Sequence, residues 1–302
     1  MSPDADRTLV LPDGRTLGYR VWGDPRGAQL LFLHGTPGSR LKFSIAHETG
    51  RELGLSIVAP DRWGYGLTDA PAAPSLAAFA ADMAALMDAQ GQRRFAVGGI
   101  SGGGPYAAAV AACLPDRVTA LALISPVGPI ADAGLGRSLP PIHRLCFTVL
   151  PGRPRIVGAA MRAFRWSLAR APRLAGQLTT WRAAWTDKAL IARPEVAQRL
   201  LSSFLEGLRP GTDGPVVDLG IFSRPWGVDL AAISAPTRLW VGMRDTNVPL
   251  TAVRALAERI PACDLVELEG EGHLWVSVNY PEVLRWAASA VRAPAIPASA
   301  RR

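Results

Sequence analysis

Gly99-Ile100-Ser101-Gly102-Gly103 decides how this chain is read. The stretch Arg93–Gly99 leading into it has a strand pattern, and the alanine-rich run Gly102–Leu114 leading out of it has a helix pattern. A serine held between them stands on a sharp, strained turn, and the glycines beside it let strand and helix approach closely. The free N–H groups opening the following helix favour a developing negative charge. The uncharged stretch from Phe95 to Pro115 imitates a membrane span. However, Gly98, Gly99, Gly102, Gly103, Gly104 and Pro105 cluster at its middle. Strand, turn and buried helix explain it better, and no stable membrane insertion is expected.

A serine hydroxyl is a weak nucleophile and needs a neighbouring base, which in turn needs a carboxylate to fix its tautomer. His273 follows the last strand pattern in Gly270-Glu271-Gly272-His273. Asp245 ends the preceding strand region in Trp240-Val241-Gly242-Met243-Arg244-Asp245. Both fall at carboxyl ends of strands, where open α/β sheets place their sites. Ser101 is therefore the candidate nucleophile, His273 the base and Asp245 the orienting acid, with Asp132 as the alternative acid. An acyl-transfer site also needs donors for the oxyanion. The N–H groups of Thr36, in His34-Gly35-Thr36-Pro37-Gly38, and of Gly102 are the expected pair. His34 is read as an organiser of that loop, Asp61 and Arg62 as braces of the next, and no metal or cofactor is implied.

Strand and helix patterns alternate along most of the chain. Strands are expected at Arg7–Leu11, Arg15–Trp22, Gln29–Leu33, Ser56–Ala59, Arg93–Gly99, Val118–Ser125, Thr237–Gly242 and Asp264–Leu268. Helices are expected at Leu41–Leu53, Leu76–Gln90 (with Ser75 as N-cap), Gly102–Leu114, Leu250–Ile260 and Pro281–Val291. This order argues a mostly parallel sheet covered on both faces. The alternation stops from Pro129 to Trp226, which is proline-punctuated and reads as helices. Residues 1–128 and 227–292 are then the core, 129–226 an inserted cap, and 293–302 a frayed tail.

The 302 residues are 49% hydrophobic and 19% charged, which excludes intrinsic disorder. Three widely spaced cysteines, Cys113, Cys146 and Cys263, exclude a disulfide framework; Cys113 falls in a helix expected to be buried. Met1–Asp6 carries acids and no apolar run, so no secretion signal is read and a cytoplasmic location is expected. The net charge of +8 is localised. Between Pro129 and Trp226 lie 14 basic and 6 acidic residues, and the rest of the chain has 19 of each. A solvated arginine surface is one reading, and steering of an anionic or carrier-bound acyl substrate is the other. No zinc finger, RNP motif or basic heptad region shapes this charge into a nucleic-acid reader.

The chain resembles the α/β-hydrolase fold superfamily in its serine-nucleophile, cap-bearing branch. The resemblance rests on His34–Gly38, Asp61-Arg62-Trp63-Gly64-Tyr65-Gly66-Leu67-Thr68, Gly99–Gly103, Asp245 and Gly272-His273. It implies a mostly parallel eight-stranded sheet flanked by helices, the chain order Ser, Asp, His, and a carboxylesterase-like serine hydrolase acting on an ester, thioester or related acyl bond. Acyl transfer, cyclisation or C–C bond hydrolysis with the same residues is the alternative. A non-catalytic small-molecule-binding protein on the same fold is a further one. Epoxide hydrolases and haloalkane dehalogenases look similar around His34 but use an aspartate nucleophile, and Ser101 argues against them. Proline iminopeptidases carry a second glycine where Thr36 stands. Candidates for contact with a small-molecule acyl substrate are Trp63, Tyr65, His143, Trp166, Trp185 and Trp226. The cap aromatics Phe164, Trp181 and Phe204 share that possibility with packing. Arg162, Arg165 and Arg170, beside Phe164 and Trp166, weakly resemble a membrane-surface helix. A monomer or homodimer is expected.

Overall fold

The computed structural model describes residues 5–131 and 135–292. Asp132 and the tail 293–302 lie outside the described residues. Eight strands form one sheet: β1 (Arg7–Val10), β2 (Thr16–Gly23), β3 (Ala28–Leu33), β4 (Leu55–Pro60), β5 (Phe95–Ile100), β6 (Val118–Ile124), β7 (Thr237–Gly242) and β8 (Cys263–Leu268). Their order across the sheet is β1-β2-β4-β3-β5-β6-β7-β8. β1 with β2 and β2 with β4 pair antiparallel; every other pairing is parallel. This is the α/β-hydrolase fold. The central strands β4 and β5 are buried at every residue, which is why they read as continuous apolar runs and not as alternating ones.

Two apolar layers cover the sheet. On one face α2 (Leu76–Ala89), α3 (Gly104–Cys113) and α11 (Leu250–Arg259) bury Phe79, Met83, Tyr106, Val110 and Leu256. On the other, Phe43, Trp275, Tyr280 and Leu284 pack together, the last two from α12 (Val276–Arg292). Ser75 caps α2 as expected, its hydroxyl accepting from Ala78 N–H at 3.2 Å. Two expected helices differ. Leu41–Leu53 is a 3-10 segment, Arg40–Ala46, followed by a short α1 (His47–Glu52). The last helix begins at Val276, ahead of Pro281, across a non-helical Asn279. The proline ring removes one helical N–H, and the Asn279 amide donates to the Trp275 carbonyl at 2.9 Å within the same turn.

Between β6 and β7 the chain is helical: α4 (Leu135–Ser138), α5 (Pro141–Arg144), α6 (Pro154–Arg170), α7 (Pro172–Thr180), α8 (Trp185–Ile191), α9 (Pro194–Gly207) and α10 (Asp213–Phe222). Three carboxylates of this segment turn toward the rest of the molecule: Asp187 to the His273 loop, Glu206 to Arg40 and Asp218 to Arg62. With those acids committed inward, its exposed surface is left rich in arginine.

Candidate active site

Ser101 follows β5 at φ +54°, a left-handed backbone that a residue with a side chain rarely adopts. Close approach explains its glycine neighbours. A Cβ on Gly99 would meet the Gly103 carbonyl oxygen at 2.4 Å, and one on Gly103 the Leu33 carbonyl oxygen at 2.5 Å. A Cβ on Gly102 would lie 2.0 Å from Thr36 Oγ1, so the His34–Gly38 loop stands directly against the turn. The N–H groups of Thr36 and Gly102 have no hydrogen-bond partner among the described residues.

Ser101, Asp245 and His273 all stand just past the carboxyl ends of parallel strands, β5, β7 and β8. His273 Nδ1 and Asp245 Oδ2 are 2.7 Å apart, with the Asp245 side chain fully buried. Asp245 Oδ1 accepts from the N–H groups of Asn247 at 2.8 Å and Val248 at 3.1 Å. Burial raises the Asp245 pKa, but His273 and these donors outweigh it and the net shift is downward. The aspartate is thus an anion, the proton between the two sits on Nδ1, and the Nε2 lone pair is free. For His273, burial pulls the pKa down while Asp245, and then Asp187, push it up; the net shift is upward. Ser101 Oγ has no hydrogen bond to His273, a contact that in ligand-free sites tightens once substrate is seated.

Two buried carboxylates from the helical segment hold this edge in place. Asp187 at the start of α8 accepts from His273 N–H at 2.9 Å and from Leu274 N–H at 2.8 Å. Gly272 has no side chain because a Cβ there would lie 2.4 Å from the Asp187 carboxylate. Asp218 of α10 binds Arg62 with both oxygens and also accepts from Thr36 Oγ1 at 2.5 Å, Tyr65 OH at 2.7 Å and Tyr106 OH at 2.7 Å. Burial and Asp218 push both tyrosine pKa values well above the ordinary range, so both remain donors. Arg62 also donates to the His34 and Gly35 carbonyls, at 2.9 and 3.0 Å. His34 Nε2 accepts from Arg62 N–H at 3.0 Å, which leaves its proton on Nδ1 facing the Gly35 carbonyl at 2.8 Å. Burial drives the His34 pKa well down. It is a neutral loop organiser, and Asp61 and Arg62 are braces, as expected from sequence.

The expected substrate contacts fare differently. Trp63 and Tyr65 are 1% and 0% exposed. Trp63 donates to Asp82 at 2.8 Å and packs edge-on to Phe79, and the Tyr65 hydroxyl donates to Asp218, so both are core residues. Trp166 and Trp185 are 64% and 66% exposed and stand in solvent. Trp226 borders a small cavity of about 210 Å³ with Pro129, Arg224 and Arg259, lined by none of the residues around Ser101. His143 is buried, its Nε2 lying 2.8 Å from the carbonyl of Thr246, the neighbour of Asp245. Cys113 ends α3 and is exposed rather than buried; all three cysteines are unpaired.

Sequence reasoning also missed Asp187, Asp218 and Lys42. The last is one of two lysines among 33 basic residues. Burial, and then Arg199, draw its pKa down to about 8, and its charge opposes protonation of His273. Among the described residues no group of three or more His, Cys, Asp or Glu side chains is assembled to hold a metal ion, and no helix is long and apolar enough to cross a membrane.

Asp187→Asn tests the carboxylate on the His273 loop. An asparagine keeps one accepting oxygen, loses the charge and turns an NH2 toward a backbone N–H. In the base role expected from sequence His273 reacts as neutral imidazole, so kcat/KM of the wild type should rise with pH through a His273 pKa above its ordinary 6.5. Removing the Asp187 charge lowers that pKa, so the acid limb moves to lower pH while the plateau falls about tenfold. A pH–rate profile checks both; an unmoved limb contradicts the assignment.

The comparisons agree with this fold. A family model described as alpha/beta hydrolase fold matches residues 29–142. A non-heme chloroperoxidase of Streptomyces lividans is 34% identical over 131 residues, 41% of this chain and 45% of that protein. A lipase of Mycobacterium tuberculosis is 36% identical over 111 residues, 36% of this chain and 41% of that one. The chain thus spans less than half the length of these curated relatives. An α/β hydrolase fold protein from Nakamurella multipartita superposes with a TM-score of 0.71 at 25% identity, covering 95% of this chain and 99% of the other. The chain has the α/β-hydrolase fold that the family model and the solved structure describe.

Proposed function

We propose that this protein is a serine hydrolase that cleaves an ester, thioester or related acyl bond through an acyl-enzyme. The observation that carries the reading is the 2.7 Å Asp245–His273 contact, which leaves Nε2 free on the sheet edge that also bears the strained Ser101 turn. Ser101 Oγ attacks the carbonyl carbon and His273 Nε2 takes its proton. The vacant N–H groups of Thr36 and Gly102 receive the oxyanion. Collapse of the tetrahedral intermediate expels the alcohol or thiol, protonated by His273. Water, deprotonated by His273, then attacks the acyl-enzyme, and its collapse frees the acid and returns the proton to Ser101.

Residues 129–226 act as a cap in this reading. Support comes from Asp187 and Asp218, which reach from α8 and α10 to the His273 and Thr36 loops and tie the segment to both flanks of the site. Likeness over 111 residues to a mycobacterial protein named as a lipase points the same way.

Turnover of p-nitrophenyl esters of graded chain length in 18O-labelled water tests the proposal. One labelled oxygen should enter each acid released. Unlabelled acid would place the cleavage on the alcohol side of the ester oxygen and contradict an acyl-enzyme, and acyl groups recovered only on an added alcohol would make transfer the reaction instead.

A further inference from the structure

A cavity lies within the helical segment. It measures about 730 Å³, inside the range of roughly 300–1,000 Å³ typical of small-molecule sites. Phe164 and Leu168 of α6, Ile191 of α8, and Leu201 and Phe204 of α9 form its apolar walls. None of Ser101, Thr36, Asp245 and His273 lines it, so it is separate from the site described above.

Its charge has one sign. Arg173 and Lys188 both line the cavity, and no Asp or Glu does. Among the described residues Arg173 has no carboxylate partner, and Lys188 Nζ donates only to the Trp181 carbonyl, at 2.9 Å. The sequence around it has the same bias: residues 133–186 hold nine arginines and no acid. Trp181, 71% exposed, also lines the cavity. An apolar chain would be desolvated by these walls, and an anionic head would satisfy two cations that lack an acidic partner. A neutral lipid would leave the cations unused.

We propose that this cavity binds a single-chain anionic amphiphile, a long-chain carboxylate, with the chain between α6 and α9 and the carboxylate at Arg173 and Lys188. The site stands independently of the acyl-hydrolase reading, because binding here needs no turnover.

The test measures displacement of 11-(dansylamino)undecanoic acid from the full chain carrying Ser101→Ala, so that no reaction at Ser101 intervenes. Dodecanoate should displace the dye with one-to-one stoichiometry. Affinity should rise about fourfold per methylene from eight to twelve carbons. Dodecanol should compete at least tenfold more weakly, and Arg173→Ala with Lys188→Ala should erase that preference. Leu201→Trp fills the cavity and should abolish binding; Ala197→Phe, also on the α9 wall, is the second blocking variant should the first not fold. Equal competition by dodecanol, undiminished binding in a folded blocking variant, or attachment to phosphatidylglycerol vesicles with no uptake of free dodecanoate would each overturn the proposal.

Discussion

Asp245→Asn should lower kcat by about 10⁴ while the protein stays folded. The reason is tautomeric. Asp245 Oδ2 accepts the Nδ1 proton of His273 at 2.7 Å. An amide NH2 in that place is a donor, and it forces the imidazole proton onto Nε2, where the lone pair must be for Ser101 to be deprotonated. The other oxygen, held by Asn247 N–H and Val248 N–H, has an equivalent in asparagine, so the loop keeps its turn. Steady-state kinetics alongside a thermal melt check this. A loss smaller than tenfold in a folded variant would mean that another group orients His273.

Asp218→Ala should cost about 3–5 kcal/mol of stability, because it leaves the fully buried Arg62 charge uncompensated. Tyr65 OH, Tyr106 OH and Thr36 Oγ1 lose the same acceptor. Since Thr36 also offers its N–H to the proposed oxyanion, the surviving folded fraction should lose about 10² in kcat. Urea unfolding and single-turnover rates separate the two effects. Replacing Arg62 and Asp218 together by methionine and leucine removes both buried charges, and it should recover part of the stability without recovering the rate. Destabilisation below about 1 kcal/mol would contradict the role given to this ion pair.

What was legible in the sequence was the part whose physics is local. Gly99 and Gly103 have to be glycine because backbone carbonyls stand where a Cβ would be, and that need left a readable motif at Ser101. The apolar runs of β4 and β5 reflect burial on both faces. The supports from the helical segment were not legible. Asp187 lies 86 residues from His273 and Asp218 156 residues from Arg62. A lone acid in a helix looks like a solvated charge until its long-range partner is known. For Asp218 a signal was present: Val216-Val217-Asp218-Leu219 sets a carboxylate in an apolar run, where it is buried only if paired. Trp63 and Tyr65 misled because an aromatic residue beside a site motif suits core and pocket equally well. Their hydrogen bonds to Asp82 and Asp218 decided for the core.

The account turns on one reactive hydroxyl. Incubation with a fluorophosphonate probe followed by intact-mass measurement and peptide mapping tests it most directly. One adduct per chain is predicted, on Ser101, absent from Ser101→Ala and slowed by orders of magnitude in Asp245→Asn. A folded wild-type protein that resists the probe, or an adduct that persists in Ser101→Ala, would contradict it.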